Sequence, residues 1–426
     1  MEKICVIGLG YIGLPTASMF ATHGYKVTGV DINSNIVEII NKGASHIEES
    51  GLNTLVRAAV LSKNLIATKK PEKADVFIIC VPTPLDRHSK KASLDYVKSA
   101  VESIVPYIEK GNLVILESTV PPRTTKNILV PILEKSNLKI GKDLYVAHCP
   151  ERVLPGKVLR ELVENDRIIG GVNTESAELA KKLYQCFVVG KIYLTDATTA
   201  EMVKLMENTY RDANIALANE FSKISGELNI NVWDAIRLAN MHPRVNIHQP
   251  GPGVGGHCIP IDPWFIVEKA PEYAQLIMLS RKINDEMILH VIKITEDLIG
   301  NIKGKAITIF GVAYKGNVED ARETPAERLY ELLLAMECDT RLHDPFVQKF
   351  KYRLRNLEDS VVNSNCIIVL TAHSDFKNLS IKRIKGIGDL MKSKNVVDTR
   401  NCLDHNIWKS AGFRVRILGN TMEGFN

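Results

Sequence analysis

Lys3-Ile4-Cys5-Val6-Ile7-Gly8-Leu9-Gly10-Tyr11-Ile12-Gly13 is the stretch that decides the fold. Its first five residues form an apolar run of buried-strand type, and the run enters a glycine-rich turn directly. The stretch from Leu14 to His23 then has helical character, and a second strand, Lys26 to Val30, ends in Asp31. Strand, glycine turn, helix, strand and terminal carboxylate form the dinucleotide fingerprint in its required context. Gly8, Gly10 and Gly13, with Tyr11 and Ile12 between them, let a pyrophosphate approach a helix N-terminus. Asp31 is placed to bind a ribose diol, and its charge repels a 2′-phosphate, so the expected cofactor is NAD.

The alternation continues outward from this unit. Asp75 to Cys80 reads as a strand ending in Val81-Pro82-Thr83-Pro84, and Leu113 to Leu116 as one ending in Glu117-Ser118-Thr119. Ligands of open parallel sheets lie beyond the carboxyl ends of the strands. Thr83 and Thr119 therefore either contact the nicotinamide half or the substrate, or cap the helices that follow. Leu144 to Ala147 is a further strand, and Glu151 and Arg152 follow its end. Strands near Arg167 to Gly170 and Ile192 to Thr195, and a helix from Glu175 to Cys186, complete a first domain.

From Thr198 to Leu228 the pattern is helical without a proline, unusually long for a soluble protein. Lys204, Asn208 and Arg211 stand at i, i+4 and i+7, on one face among apolar neighbours. A solvated stripe is the plain reading. Asn is a poor mid-helix choice, however, and an amine on a partly buried helix can serve as a proton-transfer group.

Pro250-Gly251-Pro252-Gly253-Val254-Gly255-Gly256-His257-Cys258 places four glycines and two prolines in the eight residues before a cysteine. Such crowding costs chain entropy, and a close ligand or partner would make use of it. Cys258 stands four residues before Asp262, with the parts of an activated nucleophile; a tight turn around a buried cysteine is the alternative. Glu272 to Leu298 reads as a second long helix, and Gly300-Asn301-Ile302-Lys303-Gly304 as a boundary. A new sheet then begins, with strands at Ala306 to Phe310, Thr340 to His343 and Cys366 to Leu370. The connection Gly311 to Pro325 holds Tyr314, Lys315 and Arg322 and suits an anionic ligand or a solvated loop. The expected class is thus α/β: two Rossmann-like, doubly wound domains joined by a long-helix central region. Its divisions fall at 1–197, 198–302 and 303–426.

Composition bounds the function. A length of 426 residues, 45% hydrophobic and 24% charged, excludes a disordered chain, and no apolar run reaches the ~20 residues that cross a bilayer. A strand beginning at Lys3 leaves no room for a signal peptide, so the expected compartment is the cytoplasm. The eight cysteines have no disulfide-like spacing. His148-Cys149 and His257-Cys258 lack a second pair at zinc-like spacing, so no metal is expected. The net charge of +5 is not gathered into a basic block, which argues against nucleic acid and for an acidic small molecule.

Taken together, GLGYIG with Asp31, EST at 117–119, PERVLPG at 150–156, EMVKLMEN at 201–208, GGHCIPID at 255–262 and GVAYKGNVEDARETP at 311–325 resemble the nucleotide-sugar 6-dehydrogenases over essentially the whole chain. The resemblance implies oxidation of a sugar's primary alcohol to a carboxylate by two hydride transfers to NAD. It makes Cys258 the nucleophile, Lys204 the proton-transfer group, Asn208 an oxygen-holding group, and Asp262 or Glu151 the group that orders water. It sets Thr119 near the nicotinamide and Arg322 on NAD. It sets Arg152, Val153, Arg211, Gly255 and the Tyr314-Lys315 segment on a UDP-sugar. It also implies a homodimer in which His242 and Arg244 reach the neighbour's diphosphate. Pro155 and Ile261 depart from the UDP-glucose branch, which has Glu and Lys there. HPRVNI at 242–247 and Trp264 look most like the UDP-N-acetylmannosamine branch, with the N-acetylglucosamine and glucose branches as alternatives. A β-hydroxyacid dehydrogenase shares the Lys/Asn helix but lacks the third domain and the cysteine. A non-catalytic NAD-binding regulator would have little use for Lys204, Cys258 and Asp262 together.

Overall fold

In a computed structural model, which describes residues 1–420, two parallel-rich sheets follow from the apolar runs. The first contains β1 (Lys3–Ile7), β2 (Lys26–Val30), β3 (Leu65–Thr68), β4 (Val76–Ile79), β5 (Leu113–Leu116), β6 (Tyr145–His148), β7 (Arg167–Gly171) and β8 (Ile192–Asp196). Their order is β3-β2-β1-β4-β5-β6-β7-β8. All neighbours are parallel except β6 and β7, which pair antiparallel. The order reverses between β1 and β4, so the crevice for a ligand opens beyond the ends of these two strands. Alternate residues feed opposite faces. Ile4, Val6, Ile78 and Ile115 enter one core with Phe20 and Tyr184. Cys5, Ile7, Phe77, Ile79 and Val114 enter the other. Strands buried on both faces explain the near-continuous apolar runs.

The second sheet holds β9 (Ala306–Phe310), β10 (Asp339–His343), β11 (Cys366–Val369), β12 (Asn395–Asp398) and β13 (Arg414–Ile417). Its order is β10-β9-β11-β12-β13, all parallel, with the reversal between β9 and β11. The connection that begins at Gly311 therefore leaves β9 at the switch point.

The expected elements are found with ends moved by a few residues. The long helix runs Ala197–Glu227, and the second long helix Gln275–Ile299 starts three residues later than its apolar pattern suggests. β3, β12 and β13 were not read from the sequence. Each is only four residues long, and Lys, Arg and Asp in or beside them dilute the strand signal.

The chain forms two compact units. One comprises Met1–Glu207 with Trp264–Pro271; the other comprises Asn208–Pro263 with the chain from Glu272 onward. No helix among the described residues is long and apolar enough to cross a membrane. Among those residues no group of three or more His, Cys, Asp or Glu side chains is arranged to hold a metal ion.

Candidate active site

In the first unit the glycine turn has the shape a dinucleotide needs. Gly8 has φ +93°, and a Cβ there would lie 2.6 Å from the Cys80 carbonyl oxygen. A Cβ on Gly13 would fall 1.8 Å from the Gly8 oxygen, whereas one on Gly10 would meet nothing within 4 Å. The turn is thus packed from beneath and open above. The helix Gly13–Thr22 has no side-chain cap and no acidic residue in its first turn, so its positive end is left for an anion. Asp31, at the end of β2, accepts from Leu9 N at 3.1 Å and from Asn33 N at 2.9 Å, which fixes its carboxylate beside the turn. These features fit NAD, and Gly10 and Asp31 are the residues that would hold its pyrophosphate and ribose.

Thr83 Oγ1 donates to the Thr119 carbonyl at 2.6 Å, tying the ends of β4 and β5 together. Neither residue is a helix N-cap; Leu94 and Thr124 occupy those positions. Glu151, buried at the end of β6, takes Arg167 Nη2 on one carboxylate oxygen at 2.8 Å and Arg152 N on the other at 2.7 Å. Arg152 forks onto Glu207, at 2.6 Å and 3.1 Å, and donates to the Asp166 carbonyl. Val153 packs its side chain partly on the sheet's core. Tyr11 and Ile12 lie in the turn itself.

In the second unit Asn208, buried on the long helix, donates from Nδ2 to Asp262 at 2.5 Å. Asp262 N in turn bonds the Cys258 carbonyl at 2.8 Å, so carboxylate and thiol are one turn apart. Cys258 is exposed, and the tight-turn alternative with a buried cysteine does not hold. Lys204 lies one turn before Asn208 and Arg211 about one turn after it, on one stripe of the same helix. Three of the expected catalytic groups, Cys258, Asp262 and Asn208, are therefore gathered in this unit, with Lys204 next on the helix.

The glycine loop is held by contacts that the sequence does not advertise. Gly251 N donates to Asn219 Oδ1 at 2.8 Å, and Asn219 Nδ2 donates to Asn284 Oδ1 at 2.9 Å. Asn284 bonds Asp212, which pairs with buried Arg281 at 2.5 Å. Further along, a Cβ on Gly255 would stand 2.8 Å from Tyr314 Cβ, and Gly256 N bonds the Arg322 carbonyl at 3.1 Å. The loop after β9 thus packs on the cysteine loop.

That second loop is anchored by Asp344, whose carboxylate accepts from Val312 N, Ala313 N and His373 Nε2; His373 Nδ1 then accepts from Asn317 N. The hydrogen bond from His373 helps hold the Asp344 carboxyl down to about 2 against the opposing effect of burial. Lys315 is exposed, and Arg322 forks onto Asp320 at 2.6 Å and 2.9 Å. Desolvation first, and next the Arg322 charge, lower the exposed His257 imidazole from its usual value. His242 and Arg244 are exposed on the turn after the helix Val232–Ala239. The other cysteines are inert by comparison. Burial pushes the Cys5, Cys149, Cys366 and Cys402 thiols up to about 12, and Cys186 to about 11.

A Rossmann domain fitted to NAD, together with an exposed thiol backed by an amide–carboxylate pair, defines a thiol-bearing, NAD-dependent oxidoreductase. Profiles of the UDP-glucose/GDP-mannose dehydrogenase family match its NAD binding domain at residues 2–188, its central domain at 198–286 and its UDP binding domain at 308–405. The chain belongs to that family, and NAD is its cofactor. It is 57% identical, over 99% of its length and 97% of the relative's, to a UDP-N-acetyl-D-mannosamine dehydrogenase of Methanococcus vannielii. Among solved structures it is similar to the UDP-D-ManNAc dehydrogenase from Pyrococcus horikoshii, with TM-score 0.91 and 42% identity over 98% of this chain and 99% of the other. It is also similar to the UDP-N-acetyl-mannosamine dehydrogenase Cap5O from Staphylococcus aureus, with TM-score 0.89 and 46% identity over 98% and 99%.

Proposed function

We propose that this chain oxidises UDP-N-acetyl-D-mannosamine to UDP-N-acetyl-D-mannosaminuronate, a four-electron oxidation that uses two NAD. The observation that carries the reading is identity of 57% to a dehydrogenase of that sugar along nearly the full length of both chains. NAD supplies the hydride acceptor in both oxidations. The protein's residues do the rest. Lys204 takes the hydroxyl proton of the sugar, and Asn208 and the ammonium hold the oxygen as its charge develops. Cys258 adds to the aldehyde, giving a thiohemiacetal whose carbon still bears a hydrogen to lose. Oxidation of that adduct leaves a thioester. Water then attacks the thioester, the C–S bond breaks, sulfur regains a proton, and the carboxylate leaves with a second proton passed to solvent.

Asp262 and Glu151 order that water. Thr83, Thr119 and Arg322 face NAD, as do Gly8, Gly10, Tyr11, Ile12, Gly13 and Asp31. Arg152, Val153, Arg211, Gly255, Tyr314 and Lys315 face the UDP-sugar. The functional domains are 1–197 for NAD, 198–302 for the thiol and assembly, and 303–426 for UDP; the three family profiles support this division. The working form is a homodimer in which His242 and Arg244 reach the neighbour's site. Met206, Tyr210, Leu217, Phe221 and Ile224 support this, as an exposed apolar stripe at helical spacing on Ala197–Glu227. We place the enzyme in the cytoplasm, supplying a uronate for polysaccharide synthesis.

The test is turnover with NAD against UDP-N-acetylmannosamine, UDP-N-acetylglucosamine and UDP-glucose, counting NADH per sugar. Two NADH and the highest kcat/KM with the manno sugar are expected. Better turnover of UDP-glucose than of either N-acetylhexosamine would overturn the substrate, and one NADH per sugar would overturn the thiol chemistry.

A further inference from the structure

Beneath the strand ends of the first unit lies a buried ionic cluster. Arg167, the first residue of β7, is 4% exposed, and its guanidinium stacks over the Tyr184 ring at 4.5 Å. It donates to Glu151 at 2.8 Å and to Cys149 Sγ at 3.5 Å. A second carboxyl group, Glu117, is 2% exposed and stands 3.8 Å from the same guanidinium, beyond hydrogen-bond reach. Glu117 is instead surrounded by Tyr184 OH at 2.5 Å, Cys80 Sγ at 3.0 Å and Thr16 Oγ1 at 3.3 Å.

Two buried carboxyl groups and one guanidinium cannot all be charged without leaving a buried net charge, and that is costly. The distances divide the roles. Arg167 bonds Glu151 directly, whereas Glu117, with neutral donors at bonding distance among the described residues, takes the proton. Burial, and next the Glu151 charge, push Glu117 in the same direction. A protonated Glu117 adds no anion to compete for the guanidinium. Glu151 is then held at both oxygens, by Arg167 and by Arg152 N, with its plane fixed. A carboxylate held this way orients a water by accepting from it, and the proton released in thioester hydrolysis goes to the departing sulfur.

We propose that Arg167 and Glu117 are positioning residues for the hydrolytic half of the reaction. Arg167 fixes Glu151 toward the attacking water, and Glu117 is the uncharged floor that leaves the guanidinium to Glu151. The inference rests on the role given to Glu151 above.

The experiment is stopped-flow NADH formation and intact mass spectrometry on Glu151→Gln, Arg167→Met, Arg167→Lys and the Glu151→Gln/Arg167→Met pair. Arg167→Met should lower kcat about ten- to hundredfold, as expected when a reacting group loses its orientation, with KM changed less than about twofold. Two NADH should appear in a burst, and an acyl adduct should accumulate on Cys258. The burst itself reports a folded, ligand-competent enzyme. In the Glu151→Gln background the same substitution should cost little more, because both act through one carboxylate. Arg167→Lys keeps the charge, so it guards against misfolding, and should show the same burst with a smaller loss. Wild-type kcat in Arg167→Lys and Arg167→Met, or a full second loss in the pair, overturns the positioning role while Glu151 stands. Wild-type turnover without adduct in Glu151→Gln overturns the role of Glu151 and this inference with it.

Discussion

Asn219→Ala tests whether the buried amide chain holds the cysteine loop. Asn219 is fully buried, and it links the Gly251 N–H to the Asn284 side chain, at 2.8 Å and 2.9 Å. Truncation strands one donor and one acceptor away from water. Each stranded group costs about 1–3 kcal/mol, so the loss is about 2–6 kcal/mol, centred near 4. At about 2–4 °C per kcal/mol for a unit of this size, the midpoint of the second unit should fall by roughly 10 °C. Asn284→Ala should also destabilise, and the double variant should lose less than the sum, since the shared bond can be lost only once. Scanning calorimetry is the assay, because two compact units need not melt together and each transition must be read separately. Turnover at 25 °C should fall as the loop that delivers Cys258 loosens. An unchanged midpoint and unchanged kcat in Asn219→Ala, or strict additivity with Asn284→Ala, would refute the reasoning.

Four further outcomes are expected. Gly13→Ala places a methyl carbon 1.8 Å from the Gly8 oxygen, so NAD binding by calorimetry should be lost while the second unit melts normally. Asp31→Asn removes a full charge from the ribose site, so the kcat/KM preference for NAD over NADP should shrink at least about tenfold, the equivalent of about 1.4 kcal/mol; an unchanged ratio would remove Asp31 from that role. Glu117 is raised above its ordinary value, so the stability it adds is full below the unfolded carboxyl value and is lost as pH rises through the folded one. Glu117→Gln escapes that loss, and its thermal midpoint relative to wild type should rise from pH 5 to pH 8; a difference that falls with pH contradicts the protonated state. Cys258→Ala should bind NAD normally yet form uronate orders of magnitude more slowly. Two NADH per sugar at the wild-type rate would return this thiol to a structural role.

Much of this architecture could be read from residue order, for identifiable reasons. β1 and the turn after it were legible because strand burial, glycine geometry and a terminal Asp are all local, written within the first 31 residues. Lys204, Asn208 and Arg211 were legible because helical spacing puts them on one stripe. Arg167, Tyr184 and Glu117 were not, because their meeting depends on sheet order. Thr16 and Tyr184 meet Glu117 from 101 and 67 residues away. Nothing at position 167 distinguishes a buried guanidinium from a surface one. Asn219 and Asn284 were missed for a related reason: an Asn on a long helix reads as a solvated residue until the neighbouring backbone that needs it is in view. The signal that could have found them was a polar residue on an otherwise apolar helical stripe.

Of the eight cysteines Cys258 is the exposed one, and the seven others have thiols raised by burial. An alkylating reagent used briefly near neutral pH should therefore modify one site per chain. That makes the protein its own titrant: moles of label per mole of chain count intact reaction centres in a preparation. A substrate that covers the loop should slow labelling in proportion to its occupancy, giving an affinity measurement that needs no turnover at all.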